Sequence, residues 1–452
     1  MTVLDLLSRA SRRPARAASS SRRGALAQGF AAMGHRNYRI YWFGQIGSLT
    51  GAWMQSVAQP WLVLELGGTP LQLGIVLAIM FAPSTLLAPI GGVLADRVDK
   101  RKALLLVNAF AMLNASVLFI LAATGVIEIW HVYVLALGAG LVNAIEMPIR
   151  QSFAAELVPS EDLANAIALN SMSFNLSRVI GPAIAGVLIA AFGVAIAFGI
   201  NALSYVSVLI GLWMLDPGAL RRMSRPAQFP SIRSSLGEGF RYAVRTPTVL
   251  WPLVLLGGTS ALAMNFQTLL PVFTRDALAM DSGGYGALFA AMGAGSLLGS
   301  LILAFGSRQR PMVRLIVGGG AAFLVLEAIL GFVRVPLHAF ALVFGIGLAS
   351  MLMVNTINVT IQNSVPDALR GRVVSLYVTV FAGTAPIGGL FAGSIAEAFG
   401  AHVAFTLGAA LAATVLGIVA WRLRSVRMPR GFELPASTSV DEPPRGSAAH
   451  AA

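Results

Sequence analysis

Twelve predominantly apolar runs, each long enough for about 20 helical residues, recur along the 452-residue chain. They fall near residues 40–66, 71–94, 103–124, 130–153, 164–192 and 195–215. After a polar stretch they resume near 248–273, 285–305, 312–332, 338–362, 373–399 and 403–421. In hydrocarbon a segment must pair every backbone N–H and C=O internally, so runs of this length fold as membrane-spanning helices. Composition agrees: 56% of the residues are apolar and 11% charged, against about 25% charged in an ordinary soluble domain. The sequence is read as an all-α polytopic membrane protein of twelve spans in two six-helix bundles.

Several chemistries are excluded by residue type. Cysteine is absent, which removes disulfides, thiolate metal sites and a cysteine nucleophile. Lys100 and Lys102 are the two lysines and neither precedes Ser or Thr, so no Walker A loop can be written. No histidine is followed by Glu, which rules out an HExxH zinc helix. A membrane-embedded prenyl or acyl transferase would need a paired acidic constellation, and no DDxxD run exists. No catalytic residue, metal or cofactor is therefore assigned.

Charge orients the spans, because short cytoplasmic loops keep an excess of Lys and Arg. Apart from Arg150, Arg178, Arg275 and Arg334, all 32 basic residues fall in the two tails, the central polar stretch, or the loops after spans 2, 8 and 10. This places both termini in the cytoplasm of a bacterial-type inner membrane. The net charge of +13 then faces anionic lipid and calls for no nucleic-acid partner. The chain divides into a basic tail at 1–39, a first bundle at 40–215, a cytoplasmic linker at 216–247, a second bundle at 248–424 and a disordered tail at 425–452.

The halves resemble each other. Moving the chain from Val158 to Val365 without a gap lays Val158-Pro159 on Val365-Pro366, Gly181 on Gly388, Ala185-Gly186 on Ala392-Gly393 and Phe192-Gly193 on Phe399-Gly400. Span 5 thus matches span 11. Repeats of even helix number are parallel and place a substrate site between them near mid-membrane.

Motifs carry a family resemblance. Gly91-Gly92-Val93-Leu94-Ala95-Asp96-Arg97-Val98-Asp99-Lys100-Arg101-Lys102 resembles the signature between helices 2 and 3 of the major facilitator superfamily, departing from it at Asp99. Ser177-Arg178-Val179-Ile180-Gly181-Pro182-Ala183-Ile184-Ala185-Gly186 is similar to the span 5 element of that superfamily's drug:proton antiporters. His35-Arg36-Asn37-Tyr38-Arg39, Tyr41-Trp42, Trp53-Met54-Gln55 and Met147-Pro148-Ile149-Arg150-Gln151 are similar to the branch of enterobactin exporters and macrolide efflux proteins. The resemblance implies proton-driven export of a small molecule; no cofactor is expected, and a monomer is the expectation for the assembly, on which the residues themselves are silent. The alternative is an importer or facilitator of the same fold, since direction is not written in the residues. Gly92, Asp96 and Arg97 are implied gate residues.

Polar residues inside a membrane are costly and mark cavities or helix contacts. Gln55 and Gln59 share a face of span 1, with Gln45 and Ser48 near it; Asn143, Glu146 and Arg150 recur along span 4; Asn265 lies in span 7, and Asn355 and Asn358 in span 10. The resemblance places spans 1, 4, 7 and 10 around the central cavity, while amides can equally bridge helices. Glu146 is the first choice for a proton-carrying carboxylate, with Arg150 and Arg178 as partners. Burial disfavours a charged carboxyl and a nearby guanidinium favours it, so such a group can take up and release a proton. A permanently charged structural pair is the competing reading. Gly181, Pro182 and Gly186 are expected to bend and thin span 5 as a hinge.

Overall fold

The computed structural model describes residues 30–221, 232–306 and 312–426, without the side chains of 88–97, 232–236, 305–306 and 367–368. Most of the two tails and residues 222–231 of the linker lie outside the described residues. Within them the chain is helical, as backbone pairing in lipid demands. The helices are α1 (Arg36–Glu65), α2 (Pro70–Arg97), α3 (Lys100–Ala123), α4 (Ile129–Leu157), α5 (Leu163–Phe192) and α6 (Ala195–Trp213). After the linker come α7 (Ile232–Arg245), α8 (Pro247–Leu262), α9 (Phe266–Asp276), α10 (Ser282–Gly306), α11 (Met312–Leu330), α12 (Pro336–Ser364), α13 (Asp367–Gly383), α14 (Ala385–Phe399) and α15 (Ala401–Leu423).

Among the described residues, eleven helical segments are long and apolar enough to cross a membrane, with α8–α9 and α13–α14 each counting as one. Helix α1 is not among them, although its 30 residues extend about 45 Å. Its apolarity is diluted by Gln45, Gln55 and Gln59, of which Gln45 and Gln59 are buried. Helix α3 shows the opposite pattern: Leu106, Phe110 and Leu113, one side of the helix, are all more than half exposed. A stripe of that kind fits hydrocarbon.

Two breaks interrupt expected spans. Span 7 divides at Ala263–Asn265 into α8 and α9, where the Asn265 side chain donates to the carbonyl of Ala261 (3.2 Å). Span 11 divides at Thr384, two residues before Pro386, whose ring nitrogen cannot donate to the carbonyl of Ala382. Span 5, expected to bend at Gly181-Pro182, runs as one helix from Leu163 to Phe192 with Pro182 inside it. There the glycines serve contact. A Cβ on Gly181 would lie 2.6 Å from that of Trp53, and one on Gly186 would lie 2.9 Å from Cα of Gly286.

The internal repeat is present in the backbone. Helix α5 ends at Gly193 with φ 81° and ψ 168°, and α14 ends at Gly400 with φ 86° and ψ 158°. That left-handed φ suits glycine. Both glycines donate to the carbonyl four residues back, Ile189 (2.8 Å) and Ala396 (2.9 Å). Pro159 and Pro366 likewise share extended dihedrals ahead of α5 and α13.

The motif around His35 is a structural tie. His35 pairs with Asp162 (2.7 Å), Asn37 exchanges hydrogen bonds with the backbone of Asp216 (3.0 and 3.1 Å), and the Tyr38 hydroxyl donates to the carbonyl of Ala166 (2.9 Å). The start of α1 is thereby fastened to α5 and to the end of α6. The loop before α3 works in the same way. Asp99 caps α3 by accepting from the Lys102 N–H (3.1 Å), Lys100 pairs with Glu156 of α4 (2.6 Å), and Arg101 donates to the terminal carbonyls of α6 at Leu212 (2.7 Å) and Trp213 (2.9 Å). Asp99, the departure from the resembling signature, is thus an N-cap.

Candidate functional site

The first half of the chain, α1–α6, meets α8–α15 chiefly where α2 packs on α14 and α5 on α10. Both seams close through glycine. Gly389 faces the carbonyl of Gly74, and a Cβ on Gly393 would come within 2.6 Å of the Pro70 carbonyl. These contacts lie at the end where α2 begins and α14 finishes. At that same end Glu397 Oε2 accepts from Thr69 Oγ1 (2.6 Å) and from the Leu71 N–H (3.0 Å), so one carboxylate from α14 caps the start of α2. Trp61 also stacks on Tyr285 across the halves, with centroids 5.9 Å apart.

Two cavities flank α1. The first, about 180 Å³, is lined by Gln55, Gln59 and Asn143 together with Asn201, Tyr205 and Gln267. Asn201 Nδ2 donates to Gln55 Oε1 (2.5 Å), and Gln55 Nε2 reaches Gln59 Oε1 (3.4 Å). The second, about 480 Å³, lies between α1, α4 and α5; Gln45, Arg150, Asn170 and Phe174 are in its wall. It occupies the turns nearest the start of α1 and the end of α4, away from the end sealed by Glu397.

Glu146 and Arg150 come together as expected, one helical turn apart on α4 with Arg150 Nη1 3.8 Å from Glu146 Oε1. Arg150, but not Glu146, is in the wall of the larger cavity. Arg178 does not join the pair. Its guanidinium carbon lies 5.8 Å from the Trp53 ring centroid, and among the described residues it makes neither a hydrogen bond nor an ion pair. Asn265, Asn355 and Asn358, the second-half amides expected at the site, line neither of these two cavities. Asn265 packs against Gly388 at the break in span 7, Asn355 Nδ2 donates to Ser300 Oγ (3.1 Å), and Asn358 accepts from Gln362 (2.5 Å). The backbone at Gly92, Asp96 and Arg97 is the end of α2, while the gate assigned to their side chains lies outside the described residues.

Asn201, Tyr205 and Gln267 were missed from the sequence. Asn201 carried a signal, being a lone amide in the apolar sixth span.

Residues 27–445 match the family described as transmembrane secretion effector. The chain belongs to this family of the major facilitator superfamily. The multidrug efflux pump Tap of Mycolicibacterium fortuitum is 26% identical over 414 residues, covering 87% of this chain and 95% of its own. The enterobactin exporter EntS of Escherichia coli O1:K1 / APEC is 27% identical over 351 residues, covering 76% and 81%. Among solved structures, a variant of the nucleoside transporter NupG superposes with a TM-score of 0.70 at 12% identity, over 85% of this chain and 98% of that one. That likeness is one of fold. The protein is thus a multi-pass membrane transporter of the secretion-effector type, with efflux proteins among its relatives.

Proposed function

We propose that this protein exports a small hydrophobic or amphipathic molecule, such as a drug, siderophore or metabolite, in exchange for protons. In this reading, α1 is the first of twelve spans, residues 40–215 and 248–424 are two six-helix bundles, and 216–247 is their cytoplasmic linker. Both termini are cytoplasmic, and a monomer works by alternating access. The observation that carries this reading is a seal between the halves at one end of the described helices. Hydrogen bonds from Thr69 and Leu71 to Glu397, and from Arg275 to the Leu64 carbonyl, join them at the end that charge placement makes external. The larger cavity lies at the other end, as an inward-open carrier requires.

Proton exchange is assigned to Glu146, whose partner Arg150 stands in the cavity wall. A proton delivered to Glu146 would release Arg150 and bias the equilibrium between the two states by the difference in its affinity for them. Asp96, Arg97 and Gly92 are assigned to the cytoplasmic gate, where a carboxylate can meet the start of α13. Asp96→Asn is expected to slow turnover with little change in binding.

The test is the medium-to-cell ratio of small molecules, measured by untargeted mass spectrometry with the protein expressed or deleted, before and after an uncoupler. A compound enriched outside on expression and retained when the proton gradient collapses supports proton-driven export. Accumulation inside on expression replaces export with uptake. In proteoliposomes Glu146→Gln should abolish pH-driven transport and keep substrate counterflow; pH-driven transport at the wild-type rate would remove Glu146 from the coupling step.

A further inference from the structure

Among the described residues, Arg178 is a cation with no ion-pair partner. It lies about 22 Å along α5 from Leu163, near the middle of a 30-residue helix. Its Nε is sealed from water with no acceptor, while the residue as a whole is half-buried. A central Arg costs roughly 2.5–3.5 kcal/mol to insert on translocon scales, and the Trp53 face at 5.8 Å offsets about 1–2 kcal/mol of such a cost. Glu146 is taken by Arg150. A lipid phosphate at the membrane surface is out of reach at this depth.

Its position continues the wall of the larger cavity. Ile167, Asn170, Ser171, Phe174 and Asn175 of α5 line that space, and the same helical face next presents residue 178. On the facing helix Trp53 packs edge-on against Phe174, with centroids 5.6 Å apart. Thr50 and Ser177 hydrogen-bond beneath them (3.1 Å). Arg178 and Trp53 therefore adjoin the cavity through Phe174, which stands in its wall. Just beyond, Gly186 and Gly286 bring α5 and α10 into backbone contact.

We propose that Arg178 is the anion-binding residue of the transport site, and that the cargo carries an organic oxyanion attached to an aromatic or apolar body. The guanidinium supplies planar paired donors for a carboxylate or sulfonate, and the edge-to-face pair of Trp53 and Phe174 supplies an aromatic corner for the attached ring. Bound cargo would give the Arg178 guanidinium an anionic partner. This inference rests on reading the protein as a small-molecule exporter, and it narrows that reading to acidic cargo.

The test is equilibrium binding of 2-naphthoate and 2-naphthamide to the purified full-length protein in lipid nanodiscs. The two probes share a ring and differ in charge. The wild type should bind naphthoate at least tenfold more tightly. Arg178→Gln should reduce naphthoate to the affinity of the amide, with amide binding unchanged as the check on folding. Arg178→Lys, which keeps charge but loses the planar fork, should retain part of the preference. Equal binding of the two probes by the wild type, or an undiminished preference in Arg178→Gln, overturns the proposal. Binding to purified protein does not depend on direction or on a proton gradient, so a failure of the export reading is seen separately in the mass-spectrometric ratio.

Discussion

In the proposed topology, the contact from Glu397 to the start of α2 gives a measurable handle on closure of the external end. One carboxylate oxygen accepts from both Thr69 Oγ1 (2.6 Å) and the Leu71 N–H (3.0 Å). Hydrogen bonds to a charged group contribute about 1.5–3 kcal/mol when buried, but Glu397 is exposed, and exposed charge interactions are worth well under 1 kcal/mol each. A favourable position at a helix amino terminus adds about 0.3–1 kcal/mol. Glu397→Ala should therefore destabilise the inward-open state by about 1 kcal/mol, raising the ratio of outward-open to inward-open protein about fivefold. Glu397→Gln keeps an acceptor and loses the charge, so its shift should fall between wild type and Ala. The absence of cysteine makes the measurement direct. Spin labels at Val126→Cys, between α3 and α4, and Leu337→Cys, at the start of α12, lie on exposed positions of opposite halves at that end. Electron–electron distance distributions in nanodiscs should show the longer population growing in the order wild type, Gln, Ala. Identical distributions for all three would refute the argument that this carboxylate holds the end shut.

Other consequences follow from packing and charge. Gly286→Ala places a Cβ about 2.6 Å from the Pro182 carbonyl, backbone that cannot swing aside; it should open the α5–α10 seam and increase labelling of an externally placed cysteine. Lys100→Met leaves Glu156 charged at a site where the two side chains are only 10% and 17% exposed. It should cost about 3 kcal/mol and lower the detergent melting temperature, and the double variant with Glu156→Gln should recover most of the loss. Tyr38→Phe removes donors to the Ala166 carbonyl and Asn170 and should cost about 1 kcal/mol in the same melt, without altering substrate affinity.

The spans were legible because lipid leaves the backbone so few options, and the repeat was legible because Gly193 and Gly400 need the same rare φ. The breaks in spans 7 and 11 were not, since a hydrophobic window of about 20 residues averages over one or two residues. Helix α7 was hidden inside a stretch read as polar linker. Ile232, Leu236 and Phe240 recur there at helical spacing, and the helix docks through an ion pair of Glu238 with Arg372 and a bond from the Tyr242 hydroxyl to the Ser364 carbonyl (2.9 Å). At the candidate site, depth and residue type singled out Glu146, Arg150 and Arg178 as buried charges in the sequence. Which of them touch depends on helix rotation and on partners more than a hundred residues away, and neither can be read from spacing along one helix. The same limit applies to Asn265, Asn355 and Asn358, whose faces turn toward neighbouring helices.

The two copies of one crossing explain why the halves differ in chemistry. In the first half Gly181 of α5 lets α1 approach so closely that a Cβ would meet Trp53 Cβ at 2.6 Å and the Thr50 carbonyl at 3.0 Å. Its repeat partner Gly388 of α14 does the same for span 7, facing the Ala261 carbonyl and the Asn265 amide. Where the first crossing has an aromatic ring on a continuous helix, the second has an amide at a helix break. The ring needs a rigid backbone to hold its face toward Arg178, and a continuous α1 provides it. The amide instead serves the break, because Asn265 Nδ2 returns a donor to Ala261 where the ladder is interrupted. The repeat thus kept the glycine that sets helix distance, while what faces it diverged into a charged, aromatic-lined site in one half and a discontinuous helix in the other.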